Sequence, residues 1–465
     1  MQIASKDVSA VDMVRAALDK AKKYADYNIF ISLSEDAALN RAKEIDEKIA
    51  KGEKVGRLAG VPYACKDNFL SKQGATTAAS KILEPLKAPL NATAIEKLEA
   101  EGAIMIGRVN LDAFAHGSST ENSYFGVTKN STDMERVAGG SSGGSAVAVA
   151  LDIVPFATGT DTGGSIRQPA SFNGVYGIKP TYGTISRYGV VAMASSLDCI
   201  GFLARDTEDL NLLMEICAGQ DPKDLTTLPD YYTKTEKKEP KKIGVIKDFD
   251  SDAIDPAIRE ALRQKLSELK SDGYDIVDLE MPILKYALAV YYIICPAEVA
   301  SNLSRYDGIR YGYRSEDAKN LDEIFGESRS DGYMKENKRR IMVGNFVLSS
   351  GFYDAYYLKA MKARTLIIQA FDDAFKKCDY ILAPVSPNPA FKIGEKVNDP
   401  VAMYMEDILS VTLNLAGVPG VALPVGKTDS GLPLGLQLIG PRRSDKNLLD
   451  FAGKIGFKID DKEGK

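Results

Sequence analysis

The chain is expected to fold as an α/β protein of layered sheet and helices, and three observations carry that expectation. Short buried apolar runs alternate with amphipathic helical stretches along most of the 465 residues. Two serine-bearing glycine loops punctuate that alternation, Gly139-Gly140-Ser141-Ser142-Gly143-Gly144-Ser145 and Gly159-Thr160-Asp161-Thr162-Gly163-Gly164-Ser165. The composition, 45% hydrophobic and 26% charged, is that of an ordinary globular enzyme.

Taken in order, residues 8–24 and 35–51 read as amphipathic helices. Ser9 supplies a capping signal, and Val11, Val14, Ala17, Leu18 and Ala21 share one face. The run Leu58 to Asn68 is a short apolar strand that delivers Lys66 at its end. Residues 91–101 read as a helix and Ala103 to Gly107 as a buried strand. Ser145 to Leu151 reads as a tightly packed helix behind the first loop. Ile153 to Thr158 is a central strand leading into the second. Lys242 to Lys247 continues as a strand and 256–271 as a charged helix, after a Pro-punctuated surface excursion at 221–241. Residues 285–377 carry helical spacing and form a helical region over the sheet. Tyr380 to Val385 and Gly420 to Val425 are strands with proline near their ends. The charged tail 458–465 is expected to fray.

Composition also excludes some classes of function. A net charge of −5 lacks the global basic character of a stand-alone nucleic-acid binder. Five cysteines, at 65, 199, 217, 295 and 378, form no C-x-x-C pair and fit a reducing compartment. Met1 to Asp7 has no apolar signal core, and no uncharged apolar run approaches a bilayer's span. A cytoplasmic protein is expected.

Both glycine loops satisfy G-x-x-x-x-G, yet each is followed by Ser rather than Gly-Lys-Ser/Thr. No G-x-G occurs anywhere, so a nucleotide cradle is disfavoured. The first loop also matches the nucleophile elbow G-x-S-x-G, which needs its histidine after the serine. The single histidine, His116, precedes both loops, although other triad orders place His ahead of Ser. In Ala115-His116-Gly117-Ser118 it reads as a hydrogen-bonded structural residue. A lysine base is the remaining solution. Its pKa must fall from about 10.4 to near 7, which burial supplies at about 4 kcal/mol. Lys66, at a strand end beside Asp67-Asn68, is a candidate among 59 lysines and arginines that spacing alone does not single out.

The run Gly139 to Pro169, with Gly-Gly-Ser-Ser-Gly-Gly and Asp-x-Gly-Gly-Ser-Ile-Arg-x-Pro both intact, resembles the signature of the amidase signature family. That resemblance implies a single domain over 1–465 built on a large mixed sheet flanked by helices on both faces. Its parts would be N-terminal helices at about 8–51, a signature core at about 56–210, and a helical insertion at about 285–377 near the substrate pocket. Carried over residue by residue, it implies Ser165 as nucleophile, Ser141 as a bridging serine after a cis peptide, and Lys66 as base. Backbone N–H groups of Thr162, Gly163 and Gly164 would form the oxyanion hole, with Asp161 and Arg167 bracing the loop and Ser142 and Ser145 serving it by packing and hydrogen bonding. Within the family the chain is similar to glutaminase subunits of tRNA-dependent amidotransferases. The similarity runs through Gly117 to Ser123, Gly177 to Gly183, Ser195 to Asp198 and Asp307 to Gly312.

That similarity implies glutamine as substrate, with Arg340 on its carboxylate, Asp407 on its ammonium, and Tyr291 as a further contact that Tyr292 adjoins. It implies no cofactor or metal on this chain, ATP and Mg on a partner subunit, B and C subunits in a heterotrimer, and misacylated tRNA held mainly by the partner. A free-standing amidase for small amides and a non-catalytic scaffold are the alternatives. His116 and Phe202 depart from the family's usual residues, an apolar side chain and a proline.

Overall fold

Eleven strands join one sheet in the computed structural model, which describes residues 1–249 and 251–457. The charged tail 458–465 lies outside the described residues. The strands are β1 (Phe30–Leu33), β2 (Pro62–Lys66), β3 (Ile104–Val109), β4 (Phe156–Asp161), β5 (Tyr176–Lys179), β6 (Cys199–Ala204), β7 (Lys242–Ile246), β8 (Asp275–Leu279), β9 (Tyr380–Pro384), β10 (Gly420–Lys427) and β11 (Pro433–Ile439). Their order in space is β1-β3-β2-β4-β6-β5-β10-β11-β9-β7-β8. Pairing is parallel along β3-β2-β4 and β9-β7-β8. It is antiparallel between β1 and β3 and through β4-β6-β5-β10-β11-β9. The sheet is therefore mixed.

Successive side chains of a strand point to opposite faces, and the core divides by that rule. Val421 and Leu423 of β10 join one apolar cluster with Ile200, Phe202 and Ala204 of β6 and with the helices Thr207–Cys217 and Asp445–Ile455. Ala422 and Leu203, one residue out of step, join a second cluster with the helices Ala10–Lys23, Glu35–Ala50 and Gly143–Ala150. At the far end of the sheet, Ile381 and Ala383 of β9 face a third cluster built around the helices Ala287–Asn302 and Lys359–Ala374. Helices thus cover both faces.

The helices follow their sequence signals. Ser9 accepts the Asp12 N–H at the start of Ala10–Lys23, whose Val14, Ala17, Leu18 and Ala21 are buried. The segment Pro282–Arg305 is long and apolar enough to cross a membrane, with a mean hydropathy of 1.5. Here Val290, Ile294, Cys295 and Val299 are instead buried in the third cluster.

Five strands, β1, β5, β6, β8 and β11, are absent from the pattern read in the sequence. β4 also starts later and runs further than expected, so Gly159, Thr160 and Asp161 are strand rather than loop. Antiparallel pairing with β6 holds them there, with Gly159 opposite Gly201 and Asp161 opposite Cys199.

Candidate active site

Two parallel strands create the site. β2 and β4 are in register at Tyr63–Phe156 and Ala64–Ala157, so their C-terminal ends emerge on the same edge. Lys66 ends β2 and Asp161 ends β4. The Lys66 N–H donates to Thr158 Oγ1 at 3.0 Å, fixing the strand end. The first glycine loop, with a cis peptide between Gly140 and Ser141, folds over that edge and leads into the helix Gly143–Ala150.

Lys66 is fully buried, and its ammonium nitrogen meets three hydroxyls: Ser141 Oγ, Ser142 Oγ and Thr160 Oγ1, each at 2.8 Å. Ser142 Oγ donates to the Thr160 carbonyl at 3.3 Å, so toward Lys66 it serves as an acceptor. Thr160 Oγ1 accepts from the Asn68 amide at 3.1 Å and from Lys66. A neutral amine has two N–H groups and one lone pair. The two N–H groups have acceptors in Ser142 and Thr160, which leaves the lone pair facing Ser141 Oγ. Burial pulls the Lys66 pKa down to about 7, against the opposing pull of Asp112, Asp161 and Asp198. Lys66 therefore titrates near neutrality.

Ser165 is 9% exposed, and its carbonyl accepts the Ser142 N–H at 3.1 Å, which docks the second loop on the first. Its hydroxyl makes no hydrogen bond among the described residues. Lys66 and Ser141 are thus joined, whereas the Ser141 and Ser165 hydroxyls are not bonded to each other here.

Asp161 anchors the second loop. It accepts from the N–H groups of Gly164 at 2.9 Å and Ile166 at 3.1 Å, and pairs with Arg167 through Nε at 3.0 Å and Nη2 at 2.9 Å. Burial alone raises a carboxyl; the Arg167 guanidinium overrides it and holds Asp161 at about 2. The Gly164 N–H, expected to face an oxyanion, is thus already engaged. The loop curls back at Gly164, whose φ of 139° favours glycine, and that turn aims its N–H at Asp161. The N–H groups of Thr162, Gly163 and Ser165 meet no acceptor among the described residues. Thr162 is oriented through its hydroxyl, which donates to Asp198 at 2.7 Å.

Arg340 and Asp407 read from sequence as exposed charges on helices, apart from the resemblance, but both are buried, at 3% and 8% exposure. Asp407 accepts from Ser118 Oγ and from Tyr292 Oη, each at 2.7 Å, and burial pushes it up to about 6. Arg340 donates through Nε to Glu336 at 2.9 Å, one helical turn earlier. Tyr291 lies against the second loop: a Cβ added at Gly163 would stand 2.6 Å from its Oη. Tyr292, not Tyr291, touches Asp407. His116 is buried, and its Nδ1 takes a hydrogen bond from Asn337 at 2.8 Å, since that amide also donates to the Ala113 carbonyl.

Sequence reasoning gave no site role to Asn68, Thr160, Ser118, Tyr292 or Glu336, and gave Ser142 a role in packing and hydrogen bonding, which its contacts with Lys66 and Thr160 fit. Asn68, Ser118 and Thr160 stood inside quoted segments and Tyr292 beside a quoted residue, but their contacts depend on tertiary approach. A cleft of about 930 Å³ lies elsewhere, between the helix Pro256–Ser271, residues 388–396 and the β10–β11 hairpin, and none of the residues above lines it. A small cavity of about 40 Å³ borders Asn68, Thr160 and Thr162.

Known proteins resemble the chain in sequence and in fold. The sequence profile of the family described as Amidase matches residues 12–449. The A subunit of glutamyl-tRNA(Gln) amidotransferase from Thermoanaerobacter pseudethanolicus is 50% identical over 454 residues, covering 96% of this chain and 92% of that one. The Coxiella burnetii protein of the same name is 48% identical, covering 98% and 95%. Among solved structures, the A subunit of glutamyl-tRNA(Gln) amidotransferase from Thermotoga maritima superposes with a TM-score of 0.79 at 38% identity, covering 96% of this chain and 90% of that one. A crystal structure of an amidase gives 0.81 at 30% identity, covering 96% and 95%. With a family profile spanning most of its length and relatives of this similarity, the chain belongs to the amidase signature family.

Proposed function

We propose that the chain is the glutamine-hydrolysing subunit of a tRNA-dependent amidotransferase, with Lys66, Ser141 and Ser165 as its catalytic set. The observation that carries this reading is the buried Lys66 nitrogen, 2.8 Å from Ser141 Oγ with its pKa down at about 7. As a neutral amine it accepts the Ser141 proton while Ser141 accepts that of Ser165. Ser165 Oγ then bonds to the side-chain amide carbon of glutamine. The carbonyl oxygen gains negative charge and accepts hydrogen bonds from the N–H groups of Thr162 and Gly163, while Gly164 braces the turn through Asp161. The proton returns through Ser141 to the leaving nitrogen, the C–N bond breaks, and ammonia departs. A γ-glutamyl ester remains on Ser165, and water hydrolyses it to glutamate.

Specificity follows from opposite charges at the two ends of the pocket. Arg340 pairs with the α-carboxylate, Asp407 with the α-ammonium, and Tyr291 packs beside them. A neutral small amide gives no use to such a pair, which sets this reading above a free-standing amidase. The names of the relatives support passing the ammonia to a partner. In the proposed heterotrimer, B and C subunits hold misacylated tRNA and use ATP with Mg²⁺ to activate its carboxylate, in the cytoplasm. The test is Ser165→Ala in the assembled complex. Glutamine-fed transamidation and glutaminase activity disappear, while transamidation fed with ammonium salts survives. Glutaminase retained in that variant overturns the reading.

A further inference from the structure

Arg340 is held in an unusual way for a buried arginine. Its Nε donates to Glu336 Oε1, the terminal nitrogens Nη1 and Nη2 have no acceptor among the described residues, and neither of them is sealed from solvent. One edge of the fork is therefore fixed while the bidentate end stays open. Glu336 is itself fixed from two other sides. Tyr404 Oη donates to its Oε1 at 2.8 Å, and Arg339 donates to its Oε2. Burial would raise the Glu336 carboxyl, but Arg340 beside it holds it below the ordinary range, so it remains an anion. The Arg340 guanidinium carbon stands 5.3 Å from the Tyr292 ring and 5.6 Å from the Tyr404 ring. These two rings stack on each other at 4.0 Å.

The same two tyrosines reach both charged groups. Tyr404 bonds Glu336, which aims Arg340; Tyr292 bonds Asp407 at 2.7 Å. The stacked pair thus links a cation with an open fork to a carboxylate.

We propose that Glu336 and Tyr404 are positioning residues that present the open end of Arg340 to the substrate's carboxylate at a fixed distance from Asp407, and so select an amide that carries an α-amino acid group. This rests on the reading that Arg340 and Asp407 bind glutamine. A bidentate guanidinium–carboxylate pair is directional, so the aim of the fork matters as well as its charge. Glutamate at 336 reaches Nε; aspartate, one methylene shorter, keeps the charge and loses the reach, and glutamine keeps an acceptor oxygen and loses the charge.

The test compares steady-state glutaminase kinetics of the full chain, assembled as it purifies, on L-glutamine and on 4-aminobutanamide, which is glutamine without its carboxylate. In Glu336→Ala the KM for glutamine rises about tenfold, because Arg340 Nε loses its acceptor and the fork its aim, with kcat little changed. Its kcat/KM on 4-aminobutanamide stays at the wild-type value. Glu336→Asp behaves like the alanine variant, and Glu336→Gln stays close to wild type. Tyr404→Phe raises KM for glutamine by a smaller factor. An unchanged KM in Glu336→Ala overturns the proposal, as does an equal loss on both amides, or Glu336→Asp matching wild type. If the alanine variant fails to fold, the aspartate and glutamine variants decide between aim and charge. Arg340→Ala separates the two levels: if it leaves the preference for glutamine over 4-aminobutanamide intact, the underlying reading fails and not merely the role of Glu336.

Discussion

If Lys66 is the base, the rate of glutamine hydrolysis follows its deprotonation. The perturbation is pH, and its magnitude comes from the site. Burial brings the Lys66 pKa from 10.5 to about 7, a penalty on the charged form of about 5 kcal/mol. Catalysis needs the neutral amine, so activity rises with pH through the lowered pKa. At pH 6 about one lysine in eleven is neutral and at pH 8 about ten in eleven, so kcat rises about tenfold across that interval and then levels. The assay is glutamate release at saturating glutamine between pH 5.5 and 9.5. Saturation keeps Asp407, which titrates at about 6, from entering through substrate binding. A kcat still climbing about tenfold per pH unit above 8.5 indicates an unperturbed lysine, and a flat profile indicates no lysine base. Either result refutes the reasoning.

Other outcomes follow from the same geometry. KM for glutamine rises as pH falls below about 6, because the ammonium partner must be a carboxylate and protonation of Asp407 removes it; Asp407→Asn removes this limb of the pH profile. Arg167→Leu strips the partner from a fully buried carboxylate and lowers stability by about 3–5 kcal/mol, read as a fall in thermal midpoint. Gly163→Ala drives a methyl toward Tyr291 Oη, shifts the second loop, and lowers kcat about a hundredfold with the fold retained by circular dichroism.

The long helices were legible because their apolar residues recur on one face: Val14, Ala17, Leu18 and Ala21 are buried as their spacing requires. β2, β3, β7, β9 and β10 were legible as short apolar runs. β5 and β6 were not, since Tyr-Gly-Ile-Lys and Cys-Ile-Gly-Phe-Leu-Ala are fully buried on both faces and show no alternation. β1 spans only four residues, and in β8 only Leu279 is buried. Gly159 to Asp161 looked like loop because glycine and threonine there mimic turn chemistry, whereas pairing with β6 extends the strand.

At the site, Ser141 and Ser165 stand in glycine-rich motifs that are visible in the sequence, whereas Lys66 stood out from the other lysines only through the family resemblance. The burial of Arg340 and Asp407 was not visible. Arg340 is buried where the helix Lys335–Leu348 packs on Ala287–Asn302, and Asp407 where its turn meets Ser118 and Tyr292, contacts that no local pattern encodes. Glu336 escaped for the same reason: Glu and Arg four apart on a helix usually form a solvated pair.

That Ser165 carries the acyl group is tested most directly by mass spectrometry of the chain after reaction with a glutamine analogue bearing an electrophilic γ-carbon. One adduct is expected, on the tryptic peptide containing Ser165, lost in Ser165→Ala and slowed in Lys66→Met. An adduct of full stoichiometry in Ser165→Ala, on any other side chain, would contradict it.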